Sequence, residues 1–169
     1  LLLEEIRLLR HHTSKDMKVV IEFLLSTGVR VSELCNLSIR DVDFEKREVK
    51  VIGKGDKQRV VPFSRACADL LSAYILDRNG ALFIRKKGRR MTPNSVYFQI
   101  RKLGEEVLGR RIHPHLFRHT FATVLIDEGL SIIEVQTLLG HASVATTSIY
   151  THPTERIKER YDAAIDKIM

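Results

Sequence analysis

The spacing of apolar and polar positions changes period twice along the chain. Residues 1–10 (LLLEEIRLLR) are apolar but interrupted by Glu4, Glu5 and Arg7, which predicts a helix and not a signal peptide. Residues 16–26 repeat apolar positions at Val19/Val20 and Phe23/Leu24, a second helix with Asp16 as its expected N-cap and Gly28 beyond its end. Arg30 to Leu37 begins a third helix. The period then drops to two: Val42/Phe44, Val49/Val51 and Val60/Val61, with turn signals at Glu45-Lys46 and Gly53-Lys54-Gly55-Asp56, predict a small antiparallel meander. From Ser64 onward helical spacing returns. Helices are expected over 64–78, 93–107 (opened by Thr92-Pro93), about 115–128, 131–139, about 143–150 and 154–167. The expected fold is mainly α, with one small three-stranded antiparallel sheet on its flank.

Composition narrows the class. A chain of 169 residues, 44% hydrophobic and 29% charged, suits a single domain with a sizeable core. Nine Gly, four Pro and two Cys exclude collagen, low-complexity disorder and a disulfide scaffold. No apolar run approaches the ~18–20 residues of a membrane span. Cys35 and Cys67 stand apart, without metal-ligand spacing, and read as ordinary buried thiols of a reducing cytosol.

The net charge of +7 gains meaning from its placement. Residues 85–118 hold ten basic side chains against two acidic ones, whereas 119–169 carry four basic and seven acidic. A block of one sign is the footprint expected for phosphate contacts. Its members Arg85, Lys86, Lys87, Arg89, Arg90, Arg101, Lys102, Arg110 and Arg111, with Lys57 and Arg59 in the hairpin, are the candidate nucleic-acid-contacting residues.

Four stretches carry candidate chemistry: Ser26-Thr27-Gly28-Val29-Arg30-Val31-Ser32-Glu33-Leu34, the hairpin Gly53 to Arg59, His113-Pro114-His115-Leu116-Phe117-Arg118-His119-Thr120, and Leu138-Leu139-Gly140-His141-Ala142-Ser143 followed by Tyr150-Thr151-His152. His115 and Arg118 are three apart and project from one helix face. Two Arg, a Lys, two His and a Tyr form a set suited to a phosphodiester: guanidiniums fork onto oxygens and a phenol can attack phosphorus. Singly, each has an ordinary structural reading. Arg30 pairs with Glu33, Lys54 is a turn residue, His115 and His141 sit at helix starts, and Tyr150 packs. His113, His115 and His119 lack a Cys or acid to complete a metal site, so no metal and no cofactor is expected.

Taken together in this order, the four stretches resemble the tyrosine recombinase/phage integrase family, particularly its Xer-type site-specific recombinases. The match runs from about Asp16 to Tyr150 and corresponds to the family's catalytic domain, with the DNA breaking-rejoining fold. The resemblance implies that Tyr150 attacks the scissile phosphate to form a 3′-phosphotyrosyl link, and that Arg30 and Arg118 clamp the non-bridging oxygens. It further implies that Lys54 protonates the leaving 5′ oxygen, His115 takes the phenol proton, His141 hydrogen-bonds the phosphoryl group and Glu33 orients the site. It implies no metal and no ATP. The implied partner is double-stranded DNA, bound by a homo-tetramer or a hetero-tetramer with a related recombinase, in the cytoplasm at the nucleoid. Chromosome dimer resolution and mobile-element integration or excision are the implied tasks. The family's N-terminal core-binding domain is expected to be absent. The apolar face of the tail helix, 154–168, suits packing on its own domain or docking on a neighbouring subunit. A type IB topoisomerase-like relaxing enzyme and a non-catalytic DNA-binding module are the alternatives.

Overall fold

The computed structural model describes residues 1–53, 55–76, 78–140 and 155–168. The expected helix 143–150 lies outside them. The described elements run α1 (Leu3–His11), α2 (Lys15–Thr27), α3 (Val31–Asn36), β1 (Val42–Asp43), β2 (Glu48–Ile52), β3 (Gln58–Pro62), α4 (Arg65–Ile75), α5 (Pro93–Leu108), α6 (Pro114–Asp127), α7 (Ile132–Leu139) and α8 (Glu155–Ile165). The mainly helical expectation and the single meander are both found.

Helix α2 is the central element, buried from Val19 through Thr27 and packed against α4, α6 and β3. Its N-cap is Ser14, whose Oγ accepts from the Met17 N–H at 3.3 Å, and not the expected Asp16. Asp16 instead lies in the first turn, where its carboxylate meets the positive end of the helix dipole. The helix stops at Gly28, with φ +60°; a Cβ there would stand 2.3 Å from the Phe121 ring, so only glycine lets α2 end against α6.

The sheet order is β1-β2-β3, antiparallel throughout. Val49 faces Val61 and Val51 faces Arg59 across the β2–β3 ladder. Opposed residues share a face, so Arg59 points to the same side as the buried Val49, Val51 and Val61. That side looks inward.

The largest fully buried side chains include Phe23, Phe63, Phe83, Phe117, Phe121 and Tyr161. Cys35 and Cys67 are buried free thiols, and burial pushes the Cys35 thiol up to about 11. Neither has the lowered pKa of a reactive cysteine. Among the described residues no helix is long and apolar enough to cross a membrane.

The apolar face of α8 packs against α6 of its own domain. Tyr161, Ala164, Ile165 and Ile168 are buried. The Tyr161 hydroxyl donates to the Ser26 carbonyl at 2.6 Å and lies 2.9 Å from Ser26 Oγ, which itself accepts from the Ser64 N–H. A bidentate Arg47–Asp162 pair (3.0 and 2.8 Å) ties α8 to the β1–β2 turn. Because these contacts are intramolecular, α8 contributes to the stability of the domain. Tyr161→Phe keeps the ring and orphans the Ser26 carbonyl. It is expected to lower stability by about 1–3 kcal/mol, read as a lower urea midpoint at unchanged slope; an unmoved midpoint would show that water replaces the bond.

Candidate active site

The site is built where four chain segments end against one another. Arg30 is the N-cap residue of α3, and its backbone N–H donates to Glu33 Oε2 at 2.8 Å. The same carboxylate accepts from Arg30 Nη1 at 3.1 Å and from both Nη atoms of Arg59 at 2.9 Å. Glu33 is 5% exposed. Burial alone would raise its carboxyl pKa, but the fork from Arg59, the Arg30 N–H and both positive charges outweigh it and hold the pKa below the ordinary carboxylate range. Glu33 is therefore an anion shared by two arginines.

Arg118 projects from the second turn of α6 into the interior and is 8% exposed. Its Nη1 donates to the Gly28 carbonyl at 2.6 Å and its Nη2 to the Leu139 carbonyl at 2.9 Å. Both carbonyls lie at helix C-termini, whose last C=O groups have no partner within the helix and carry the negative end of the dipole. Desolvation, reinforced by the charges of Arg30 and Arg59 and opposed by Glu33, lowers the Arg118 pKa to about 10. It stays protonated at neutral pH. Three guanidiniums around one carboxylate leave an excess of positive charge, an arrangement that favours an incoming phosphate.

His115, in the first turn of α6, is exposed, with its ring 6.1 Å from that of His113. It thus lies at the surface while Arg118, one turn on, is buried. Lys54, His141 and Tyr150 lie outside the described residues. Gly53 and Gly140, which precede Lys54 and His141 in sequence, are described, and both approach Arg59.

The candidate DNA-contacting residues divide into three groups. Lys57, Arg85, Lys86, Lys87 and Arg89 are exposed. Arg101 and Arg111 pair with Glu105, Lys102 with Glu106, and Arg110 with Glu5. Such surface pairs hold weakly and can yield to phosphates. Arg59, largely buried, and Arg90, exposed, have their guanidiniums bonded to groups of the protein itself. Arg90 donates to the Cys35 and Leu37 carbonyls (2.9 and 2.6 Å) and to Ser38 Oγ (3.0 Å), closing the end of α3. Arg59 pairs with Glu33 as described. Among the described residues no group of three His, Cys, Asp or Glu side chains could hold a metal ion.

Comparison with known proteins places this arrangement. The profile of the phage integrase family matches residues 2–156. Tyrosine recombinase XerC of Shewanella oneidensis is 40% identical over 141 residues, covering 79% of this chain and 46% of that protein. XerC of Corynebacterium efficiens is 39% identical over 152 residues, covering 86% and 49%. Among solved structures, XerA recombinase superposes with a TM-score of 0.78 at 37% identity, over 96% of this chain and 62% of XerA. XerH site-specific recombinase bound to its difH substrate, in a pre-cleavage complex, gives 0.68 at 30% identity, over 93% and 50%. The chain thus spans about half the length of the curated relatives it matches. With the fold, the XerC relatives and a profile match over almost its whole length in agreement, the chain belongs to the phage integrase family of tyrosine recombinases.

Proposed function

We propose that this chain cuts and rejoins double-stranded DNA site-specifically through a 3′-phosphotyrosyl intermediate. The observation that carries this reading is the convergence of Arg118, Arg30 and the buried Glu33. Arg118 is held inside by two backbone carbonyls, and Arg30, its side chain 37% exposed, is held by the Glu33 carboxylate. Two pre-oriented guanidiniums suit the two non-bridging oxygens of one phosphate, whose charge grows in the pentacovalent transition state.

In this mechanism the Tyr150 oxygen bonds to phosphorus and its proton passes to His115. The P–O5′ bond breaks, its electron pair stays on the 5′ oxygen, and Lys54 supplies the proton. A compact ammonium can act as an acid at this step, which an arginine cannot. His141 donates to the phosphoryl group and Glu33 orients the arginines. The new phosphotyrosyl ester conserves the energy of the broken bond, so the 5′-hydroxyl of a second strand reverses the step without ATP. The exposed Lys57, Arg85, Lys86, Lys87 and Arg89, and the labile pairs of Arg101, Lys102, Arg110 and Arg111, would track the DNA backbone.

Relatives named recombinases, one of them bound to its DNA substrate, support DNA as the partner. Assembly as a homo-tetramer, or with a related recombinase, follows from the same reading, as do a cytoplasmic, nucleoid-associated location and a task in chromosome dimer resolution or mobile-element integration and excision.

The direct test incubates the chain with a pool of nicked suicide substrates that lose the 5′ end after cleavage. A protein–DNA adduct stable to detergent, enriched for particular sequences, is expected. No adduct on any member overturns catalysis in favour of a DNA-binding module. Plasmid relaxation without sequence preference or recombinant product overturns recombination in favour of a topoisomerase-like enzyme.

A further inference from the structure

All three guanidinium nitrogens of Arg59 are engaged inside the protein. Nη1 and Nη2 fork onto the two oxygens of Glu33, and Nε donates to the Leu138 carbonyl at 3.1 Å, near the end of α7. The side chain is 11% exposed, so little of it faces a DNA backbone. Two glycines close on it. At Gly140 a Cβ would fall 2.8 Å from Arg59 Nη1 and 2.9 Å from its Cδ, so the chain runs directly over the guanidinium there. At Gly53 a Cβ would stand 3.4 Å from both Arg59 Nη1 and Glu33 Oε1, and the Gly53 N–H closes the hairpin stem onto the Lys57 carbonyl at 2.8 Å.

Arg59 therefore touches three segments far apart in sequence: the hairpin stem that leads to Lys54, the carboxylate that holds Arg30, and the end of α7 that leads to His141. We propose that Arg59 is a positioning residue for DNA cleavage, locking these three segments in one register through its planar fork. The proposal rests on the recombinase reading above. Charge alone does not do this work. A lysine at 59 keeps the positive charge but cannot bond two carboxylate oxygens and a backbone carbonyl from fixed directions.

The test compares the wild-type chain with Arg59→Lys and Arg59→Met, each shown to be folded by circular dichroism. Three quantities are read: the single-turnover rate constant for cleavage of a nicked suicide substrate at saturating protein, the Kd for DNA with its salt slope, and amide hydrogen exchange at Gly53 and Gly140. The expected result is a rate constant lower by about 10- to 100-fold, with Kd and salt slope unchanged. Exchange rises at both glycines while Ile100, in the interior of α5, stays protected. A merely destabilised protein would lose reaction amplitude and Ile100 protection, leaving the rate constant of the folded fraction unchanged.

A folded Arg59→Lys protein that cleaves at the wild-type rate overturns the proposal. A Kd that weakens in step with the rate, with the salt slope reduced by about one, also overturns it and makes Arg59 a phosphate contact. If Arg59→Met does not fold, Arg59→Lys decides. A wild-type chain that forms no adduct instead overturns the recombinase reading. In that case unchanged exchange at the two glycines would also remove the coupling ascribed to Arg59.

Discussion

Replacing Tyr150 with phenylalanine is expected to leave DNA bound and uncut. The substitution keeps the ring and removes one oxygen, the atom proposed to bond to phosphorus. Adduct formation on a nicked suicide substrate should fall by about 10⁴-fold or more, the scale on which loss of a nucleophile acts. The other three tyrosines are poor substitutes. Tyr161 is buried with its hydroxyl bonded to Ser26, and burial drives its pKa well above the ordinary phenol value. Burial also raises the Tyr74 phenol, which donates to the Ile84 carbonyl. Tyr97 is half-buried on α5, a helix that carries none of Arg30, Glu33 and Arg118. A phenol with an unperturbed pKa near ~10 attacks slowly at neutral pH unless cations and a base assist it, and the described cations gather around Glu33. The measurement is a denaturing gel of end-labelled DNA. A persistent adduct in Tyr150→Phe, mapped by mass spectrometry, would move the nucleophile elsewhere. Lys54→Ala is the informative companion: a 5′-bridging phosphorothiolate, whose sulfur leaves without a proton, should restore its cleavage, and failure to restore it would make Lys54 a binding residue.

The second large effect falls on stability. Glu33→Ala removes the one carboxylate among three guanidiniums and leaves Arg59, 11% exposed, without its ion-pair partner. Breaking a buried pair from one side costs about 3–5 kcal/mol, a large share of the stability of a domain this size. The effect should appear in urea unfolding as a lower midpoint, and a loss under about 1 kcal/mol would mean the pair behaves as a surface one. The pH dependence is fixed in sign. The Glu33 pKa is lowered on folding, so its contribution is fully present above the unfolded carboxyl value of about 4.3 and is lost as pH falls through the lower folded value. Glu33→Gln should therefore flatten the acid limb of the stability profile. Glu5, Glu105 and Glu134 also titrate low but lie nearer the surface, so the variant keeps only a shallow limb from them. Parallel acid limbs in the two proteins would rule Glu33 out as its main source.

The helices were legible because their signals are local. Apolar spacing in α2, the Thr92-Pro93 start of α5 and the Ser131 cap of α7 each depend on residues within one or two turns. The N-cap of α2 was misplaced by two residues, since Ser14 and Asp16 are both capping residue types and only backbone geometry chooses between them. Arg59 and Arg90 were grouped with the DNA-contacting cations on charge alone. For Arg59 the period of the strand already pointed inward: Val61 faces the core, and a residue two positions away faces the same side. The partners that consume those guanidiniums come from α3 and its end, and Arg59 also reaches the end of α7.

The same boundary separates what each level decides. By itself the sequence determined the helix-rich class, the three-strand meander, the basic stretch 85–118 and the family, because these are carried by local periodicity, by charge and by short motifs. Only the tertiary structure decided which cations are spent inside and which face solvent, that Glu33 serves two arginines at once, and that α8 seals its own domain through Tyr161 and Ser26. A long-range ion pair or helix contact is selected by burial, where an unpaired charge or carbonyl is expensive, and that selection is made only when distant segments meet.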